Sequence, residues 1–182
     1  VWIGAESGSD KVLRAMDKCG EVKEIEQART NLRASGIGVG FFLQLGYPGE
    51  GYEEVQATIE MVRRLRPEQI GVSVSYPLPG TVFHDRVAHS MVDSHWDQAM
   101  DNRPLFQAPF DGQIYAAAKE VLRSTHSAGQ ARRNILELLQ TRDPRSARRV
   151  LGSAWHAIRL PVLRRRMQAL AEPNPSAVPL SW

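Results

Sequence analysis

The sequence predicts an α/β fold in which three parallel strands form an arc of a (β/α) barrel, followed by an α-helical extension. Strand-like and helix-like segments alternate through the first 75 residues, and this alternation predicts right-handed βαβ units. One face of each predicted strand is apolar and the other is small or polar. This favours a barrel, because a doubly wound sheet is covered by helices and is apolar on both faces.

The predicted strands cover residues 1–5, 37–45 and 69–75. Each ends in a turn, and the last two of these turns are rich in glycine and proline, residues that stop a strand. The first strand begins at Val1 without an initiator methionine or a preceding turn. We therefore expect the chain to be a fragment, with the remaining strands of the barrel upstream.

The predicted helices of this part cover residues 10–17, 22–35 and 52–66, and the third is the most clearly amphipathic. Residues 1–90 are thus interpreted as barrel, and residues 91–110 as an irregular connection. Two helices are predicted for the extension, over residues 111–141 and 144–171. Residues 172–182 contain three prolines and are predicted to be a disordered tail.

Composition limits the classes of function. No apolar run approaches the roughly 20 residues that cross a bilayer, so no membrane span is expected. The single cysteine, Cys19, cannot form an internal disulfide, which suits a cytoplasmic protein. Residues 119–166 hold twelve Lys or Arg against three acidic residues. Aromatic residues do not alternate with the basic ones in this stretch as they do in a nucleic-acid platform, so we do not expect nucleic acid as a partner.

The candidate site lies in the loops after the three strands. These loops contain Glu6-Ser7-Gly8-Ser9, residues 44–50 and residues 76–81. The carboxyl ends of parallel strands are where α/β folds build their sites. A carboxylate there can accept hydrogen bonds from a diol such as a ribose, and glycines let the backbone approach a ligand. The structural alternatives are helix capping for Glu6 and simple turn geometry for the glycines and prolines.

An ordered set of motifs in roughly the first 90 residues resembles the radical S-adenosylmethionine superfamily. The motifs are Gly4-Ala5-Glu6-Ser7-Gly8-Ser9, then Leu13, Met16 and Lys18, then Gly36-Ile37, Gly46-Tyr47-Pro48-Gly49-Glu50 and Tyr76-Pro77-Leu78-Pro79-Gly80-Thr81. Within the superfamily, they are most similar to cobalamin-dependent enzymes related to the anaerobic magnesium-protoporphyrin IX monomethyl ester cyclase. The set is specific, although each motif alone is weak.

The resemblance implies the C-terminal half of a partial (β/α)6 TIM-like barrel, with the three strands as its fourth, fifth and sixth. It also implies contacts to S-adenosylmethionine from Glu6 and Ser7, and enclosure of the adenosine by Gln44, Gly46, Tyr76 and Pro77. A 4Fe-4S cluster would cleave S-adenosylmethionine to a deoxyadenosyl radical. Its three cysteine ligands are not in this chain, and the resemblance leaves the use of cobalamin open.

The expected partners are a small-molecule substrate and the missing N-terminal half of the same protein, so the fragment alone would be inactive. Catalytic residues are not assigned; Tyr47, Glu50 and His84 are candidates for facing the substrate. No metal ligands are assigned, because His84, His89 and His95 do not share a helical face. The alternatives are a (β/α) enzyme that binds a phosphate or sugar at residues 46–49, and a non-catalytic binding module or remnant half-barrel with a basic tail.

Overall fold

The computed structural model describes residues 1–18, 20–92 and 104–178. Its sheet has three strands, β1 (Trp2–Glu6), β2 (Gly40–Leu45) and β3 (Gln69–Val74), in the order β1-β2-β3. Both neighbouring pairs are parallel. The predicted parallel α/β arrangement is therefore confirmed. The second strand begins three residues later than predicted, because Ile37 and Gly38 lie exposed before the sheet.

Helices α1 (Asp10–Ala15), α2 (Val22–Ala34) and α3 (Tyr52–Leu65) connect the strands. A capping box begins α2, in which the Glu24 carboxylate accepts from the Glu21 N–H at 3.2 Å. Gly36, at a φ of 72°, follows the end of α2 in the left-handed conformation that glycine adopts without strain. The three predicted helices agree with these bounds to within two residues.

A short helix α4 (Val82–Val87) and a 3-10 turn (Ala88–Ser90) follow the third strand. The Thr81 hydroxyl caps α4 by accepting from the His84 N–H at 3.2 Å. The sequence analysis did not predict this helix, because six residues are too few to show a periodic pattern. His95 and the rest of residues 93–103 lie outside the described part.

The helical extension consists of α5 (Gly112–Gly129), α6 (Ala131–Thr141) and α7 (Pro144–Ala169). Asp111 and Asp143 cap α5 and α7, and Pro144 lies in the first turn of α7 as predicted. The first of the two predicted helices is in fact α5 and α6. They break at Gln130, which ends one helix and begins the next. None of the helices described is long and apolar enough to cross a membrane.

The core lies on one face of the sheet. Phe41, Leu43 and Leu45 point to this face and are buried with Val55 and Ile59 of α3. The opposite face is open: Trp2 and Phe42 are 44% and 51% exposed there. The predicted alternation of an apolar and a small or polar face is present, and only the apolar face is covered.

The beginning of the tail is packed against the chain that precedes α5. Asn174 donates from its backbone N–H to Pro109 O at 2.9 Å and from Nδ2 to Ala108 O at 3.0 Å. Val178 is buried and its N–H bonds to Gln107 O at 3.1 Å. The structure thus differs from the expected disorder over residues 172–178, because these contacts are made to residues more than sixty positions away. Residues 179–182 lie outside the described part.

Candidate functional site

The loops after the three strands share one edge of the sheet, because all strands run in the same direction. Gln44 lies next to the last residue of β2, and its Nε2 donates to Ser75 Oγ, just after β3, at 3.0 Å. Glu6 ends the neighbouring strand β1. The edge therefore combines a carboxylate, an amide and a hydroxyl. We call it the carboxyl edge.

Glu6 has an unusual backbone at this edge. The pairing of β1 with β2 shifts between Gly4 and Glu6, and Glu6 has a φ of 53°. A left-handed conformation costs a residue other than glycine roughly 1–2 kcal/mol, and such irregularities often re-aim a side chain next to a functional site. The Glu6 carboxylate accepts from Lys18 Nζ at 3.1 Å, with side-chain exposures of 16% and 48%. The pair thus places an anion beside a cation at the carboxyl edge. Of these two residues, the sequence analysis assigned Glu6 to the site but not Lys18.

Ser7 supports the turn after β1 from inside the protein. It is fully buried, and its Oγ lies 3.3 Å from Thr58 Oγ1 of α3. The same Thr58 oxygen accepts from the Gly8 N–H at 2.9 Å. A Cβ on Gly8 would lie 2.4 Å from Ala57 O, so the turn can approach α3 only with glycine there. The one signal in the sequence that could have indicated Thr58 is a hydroxyl on the buried face of an amphipathic helix.

The loop after β2 is held together by Glu50. Glu50 is buried, and its Oε2 accepts from the Gly46 N–H at 2.5 Å. Its other oxygen, Oε1, has no hydrogen-bond partner among the residues that the structure describes. Burial raises the pKa of Glu50 to about 8, against the opposing effect of the Gly46 bond. Glu50, a candidate for facing a substrate, thus faces the protein interior instead.

Tyr115 of α5 closes this loop from behind. Gly46 has a φ of 77°, and a Cβ on it would lie 2.9 Å from Tyr115 Cζ. The Tyr115 hydroxyl accepts from the Phe110 N–H at 3.2 Å. Tyr47 also points inward, since it is buried and its hydroxyl donates to Ala15 O at 3.0 Å. The helical extension therefore forms part of the wall behind the carboxyl edge.

The remaining predicted residues lie in the third loop, where Tyr76 is exposed and Pro77 is buried. His84, in the first turn of α4, has a half-buried side chain with Nδ1 3.4 Å from Asp85 Oδ1. Gln44 and Tyr76 therefore reach the surface near the edge, whereas Ser7 and Pro77 shape the loops from inside. Cys19 lies outside the described part.

An aromatic pair lies on the open face of the sheet, between the amino end of β1 and the middle of β2. Trp2 and Phe42 stack with ring centroids 4.5 Å apart. The rings lie over Gly40 and Gly71, where a Cβ would come within 2.6 Å of Trp2 and 3.0 Å of Phe42. The glycines thus let two flat rings lie directly on the sheet. The sequence analysis did not include this pair in the site, although both residues interrupt a face that is otherwise small or polar.

No protein-family model matches the chain. Curated relatives do match it, among them the following three, each over less than half of the chain. A probable threonylcarbamoyladenosine tRNA methylthiotransferase of Pyrococcus horikoshii is 32% identical over 82 residues, 44% of this chain and 19% of the relative. A tRNA-2-methylthio-N(6)-dimethylallyladenosine synthase of Fervidobacterium nodosum is 30% identical over 84 residues, 45% of this chain and 20% of the relative. The synthase of the same name from Anaplasma marginale is 34% identical over 93 residues, which are 44% of this chain and 18% of the relative.

The resemblance to the radical S-adenosylmethionine superfamily is confirmed. The chain spans about a fifth of the length of these relatives. Their names mention neither cobalamin nor a cyclase, so that finer resemblance within the superfamily stays a prediction. Each name describes a modification of tRNA, which is at odds with our expectation that nucleic acid is not a partner. That expectation relied on the lack of alternating aromatic residues, which binding to a phosphate backbone does not require.

Proposed function

We propose that this chain supplies S-adenosylmethionine contacts to a radical S-adenosylmethionine enzyme, with its three strands as the last three of a six-stranded partial barrel. The observation that supports this most is the Glu6–Lys18 pair at the carboxyl edge, next to a sheet face left open. S-adenosylmethionine carries a ribose diol and an amino-acid group. A carboxylate accepts hydrogen bonds from the diol, and an ammonium pairs with the amino-acid carboxylate.

The proposal gives the six predicted residues two kinds of role. Glu6, Gln44 and Tyr76 are exposed enough to touch the ligand, with Glu6 at the ribose or amino-acid portion and the other two at the adenosine. Ser7, Gly46 and Pro77 hold the loops that carry these contacts. The described residues thus fit a bound S-adenosylmethionine in polarity.

They do not fit the iron–sulfur cluster. Three cysteine ligands are required, and the chain has one cysteine. The cluster, when held by another part of the enzyme, supplies the electron that cleaves S-adenosylmethionine. The role proposed for this chain is therefore to bind and orient that molecule and to help keep water from it, which radical chemistry needs.

The experiment is to replace Glu6 by alanine in the complete protein and measure S-adenosylmethionine affinity by equilibrium dialysis, together with iron content. Loss of a hydrogen bond to a charged group costs about 1.5–3 kcal/mol, so we expect roughly 10- to 100-fold weaker binding with unchanged iron. Glu26→Ala is the control, since Glu26 also pairs with a partly exposed cation, Arg64, but lies on α2. Unchanged affinity in Glu6→Ala would make Glu6 a structural residue.

A second candidate concerns the substrate. The tRNA named for the relatives, together with the arginine-rich helices α6 and α7, favours a nucleic acid over a small molecule as the partner of the complete enzyme. A non-catalytic module that binds nucleic acid through these helices would share this property. It would differ by binding RNA in a complete protein that neither binds nor cleaves S-adenosylmethionine.

A further inference from the structure

A pocket of about 370 Å³ lies at the edge of the sheet opposite the carboxyl edge. It forms where the ends of α2 and α3 meet the junction of α5 and α6. Glu68, which precedes β3 and accepts from the Val39 N–H at 2.6 Å, marks this amino end of the strands. The charged residues that line the pocket are five arginines and one carboxylate: Arg29, Arg33, Arg66, Arg132, Arg133 and Glu68.

The only carboxylate among these lining residues is already paired. Glu68 Oε1 accepts from Arg29 Nη2 at 2.8 Å. Although burial raises the pKa of Glu68, the Val39 bond and the Arg29 charge outweigh this and lower it below its usual value. Arg29 is itself buried and donates to Leu65 O at 3.2 Å, while its Nη1 has no hydrogen-bond partner within residues 1–18, 20–92 and 104–178. The other four arginines form no ion pair with a carboxylate in the parts of the chain that the structure describes.

The positions of these four arginines do not all follow from helix electrostatics. Arg33 lies in the last turn of α2 and Arg66 at the end of α3, where the helix dipole favours cations. Arg132 and Arg133 lie in the first turn of α6, where the dipole disfavours them. That turn has neither an acidic residue nor a side-chain cap. An anion in the pocket would compensate all four charges.

We propose that this pocket binds a phosphate group. Guanidinium groups match phosphate oxygens in paired hydrogen bonds, and several arginines around one concavity raise the local concentration of anions. The basic helices that continue from the pocket favour an RNA backbone as the source of the phosphate. The choice of RNA as the source of the phosphate rests on the nucleic-acid substrate proposed above. The phosphate site itself does not depend on the binding of S-adenosylmethionine.

The experiment compares the chain with a variant carrying Arg132→Gln and Arg133→Gln. Both residues are exposed, so the fold should be kept. The probes are pyrophosphate and a labelled single-stranded RNA of about 12 nucleotides, titrated over a range of salt concentrations. We expect RNA affinity to fall about tenfold or more and the slope of log affinity against log salt to decrease by about 1.4, for two lost phosphate contacts.

The matched control carries Arg14→Gln and Lys23→Gln, which remove the same charge from exposed positions of α1 and α2, outside the pocket and outside the arginine-rich helices α6 and α7. Its loss should stay below about threefold, with pyrophosphate binding unchanged. Equal losses in both variants, or no loss in the pocket variant, would overturn the phosphate site. If pyrophosphate binding depends on the pocket but RNA is not bound at all, the ligand is a free phosphate and the nucleic-acid proposal fails instead.

A second variant separates binding from folding. Arg66 has a φ of 46°, which glycine adopts more readily than arginine, so Arg66→Gly removes a pocket charge without adding backbone strain. We expect an unchanged or higher melting temperature together with weaker RNA and pyrophosphate binding. Full affinity in a folded Arg66→Gly protein, together with full affinity in the Arg132 and Arg133 variant, would contradict the inference.

Discussion

The buried carboxyl of Glu50 should make the stability of this chain fall as the pH rises. Its pKa is raised from 4.5 to about 8, so the folded state keeps a proton that the unfolded state releases. The protonated Glu50 carboxyl therefore contributes its full free energy of stabilisation below pH 4.5, and this contribution is lost progressively as the pH rises to about 8. At 1.36 kcal/mol for each pKa unit, the total loss is about 5 kcal/mol, of which about 3 kcal/mol falls between about pH 5.5 and pH 8.

Glu50→Gln removes this titration while keeping an oxygen that can accept from the Gly46 N–H. The assay is urea denaturation of both proteins at several pH values, with the difference in unfolding free energy as the readout. This difference isolates Glu50 from other titrating groups, such as His126, whose pKa is lowered chiefly by burial. We expect the variant to gain about 3 kcal/mol relative to the natural chain between about pH 5.5 and pH 8.

Glu53→Gln is the control, because Glu53 lies exposed in the first turn of α3, three positions after Glu50. Its stability difference from the natural chain should be nearly constant with pH. If the Glu50→Gln difference is also constant within about 0.5 kcal/mol, the carboxyl is not protonated in the folded state and the argument from burial fails.

Two further predictions concern the loops of the carboxyl edge, and urea denaturation measures both. Thr58→Val should destabilise the chain by about 1–3 kcal/mol, because the Gly8 N–H loses its acceptor. Thr30→Val removes only a bond that the exposed Thr30 hydroxyl donates to Glu26 O of its own helix and should cost less, so equal costs would contradict the role of Thr58. Gly46→Ala should cost about 1–3 kcal/mol more than Gly36→Ala. Both positions have positive φ, but only a Cβ at Gly46 meets Tyr115, so equal costs would exclude that contact.

Much of the sheet could be predicted from the sequence because its signals are local. Glycine and proline turns mark where each strand ends, and alternation along strands such as β3 identifies the buried face. The short helix α4 was missed for want of a periodic pattern, although Thr81 offered a capping signal. The break at Gln130 was missed because the residues on both sides of it favour helix, with Gly129 as the one hint.

The details of the site depend on distant contacts and could not be predicted in this way. Nothing near Glu50 in the sequence shows that its carboxyl is buried, since Tyr115, sixty-five positions later, contributes to its surroundings. The left-handed backbone of Glu6 likewise results from a shift in its pairing with β2. Sequence patterns could thus locate the loops of the site, but not which of their side chains point outward.

The contact between Tyr115 and Gly46 means that the helical extension is not an independent module. A substitution on α5 can reposition the loop after β2 without ever touching a ligand. Replacing the extension with that of another enzyme would therefore alter the neighbouring loop, even if every residue of the sheet were retained. Changes of specificity in proteins built this way can arise from the appended helices. A chimera joined between residues 90 and 111 would have to keep a tyrosine at the position of Tyr115.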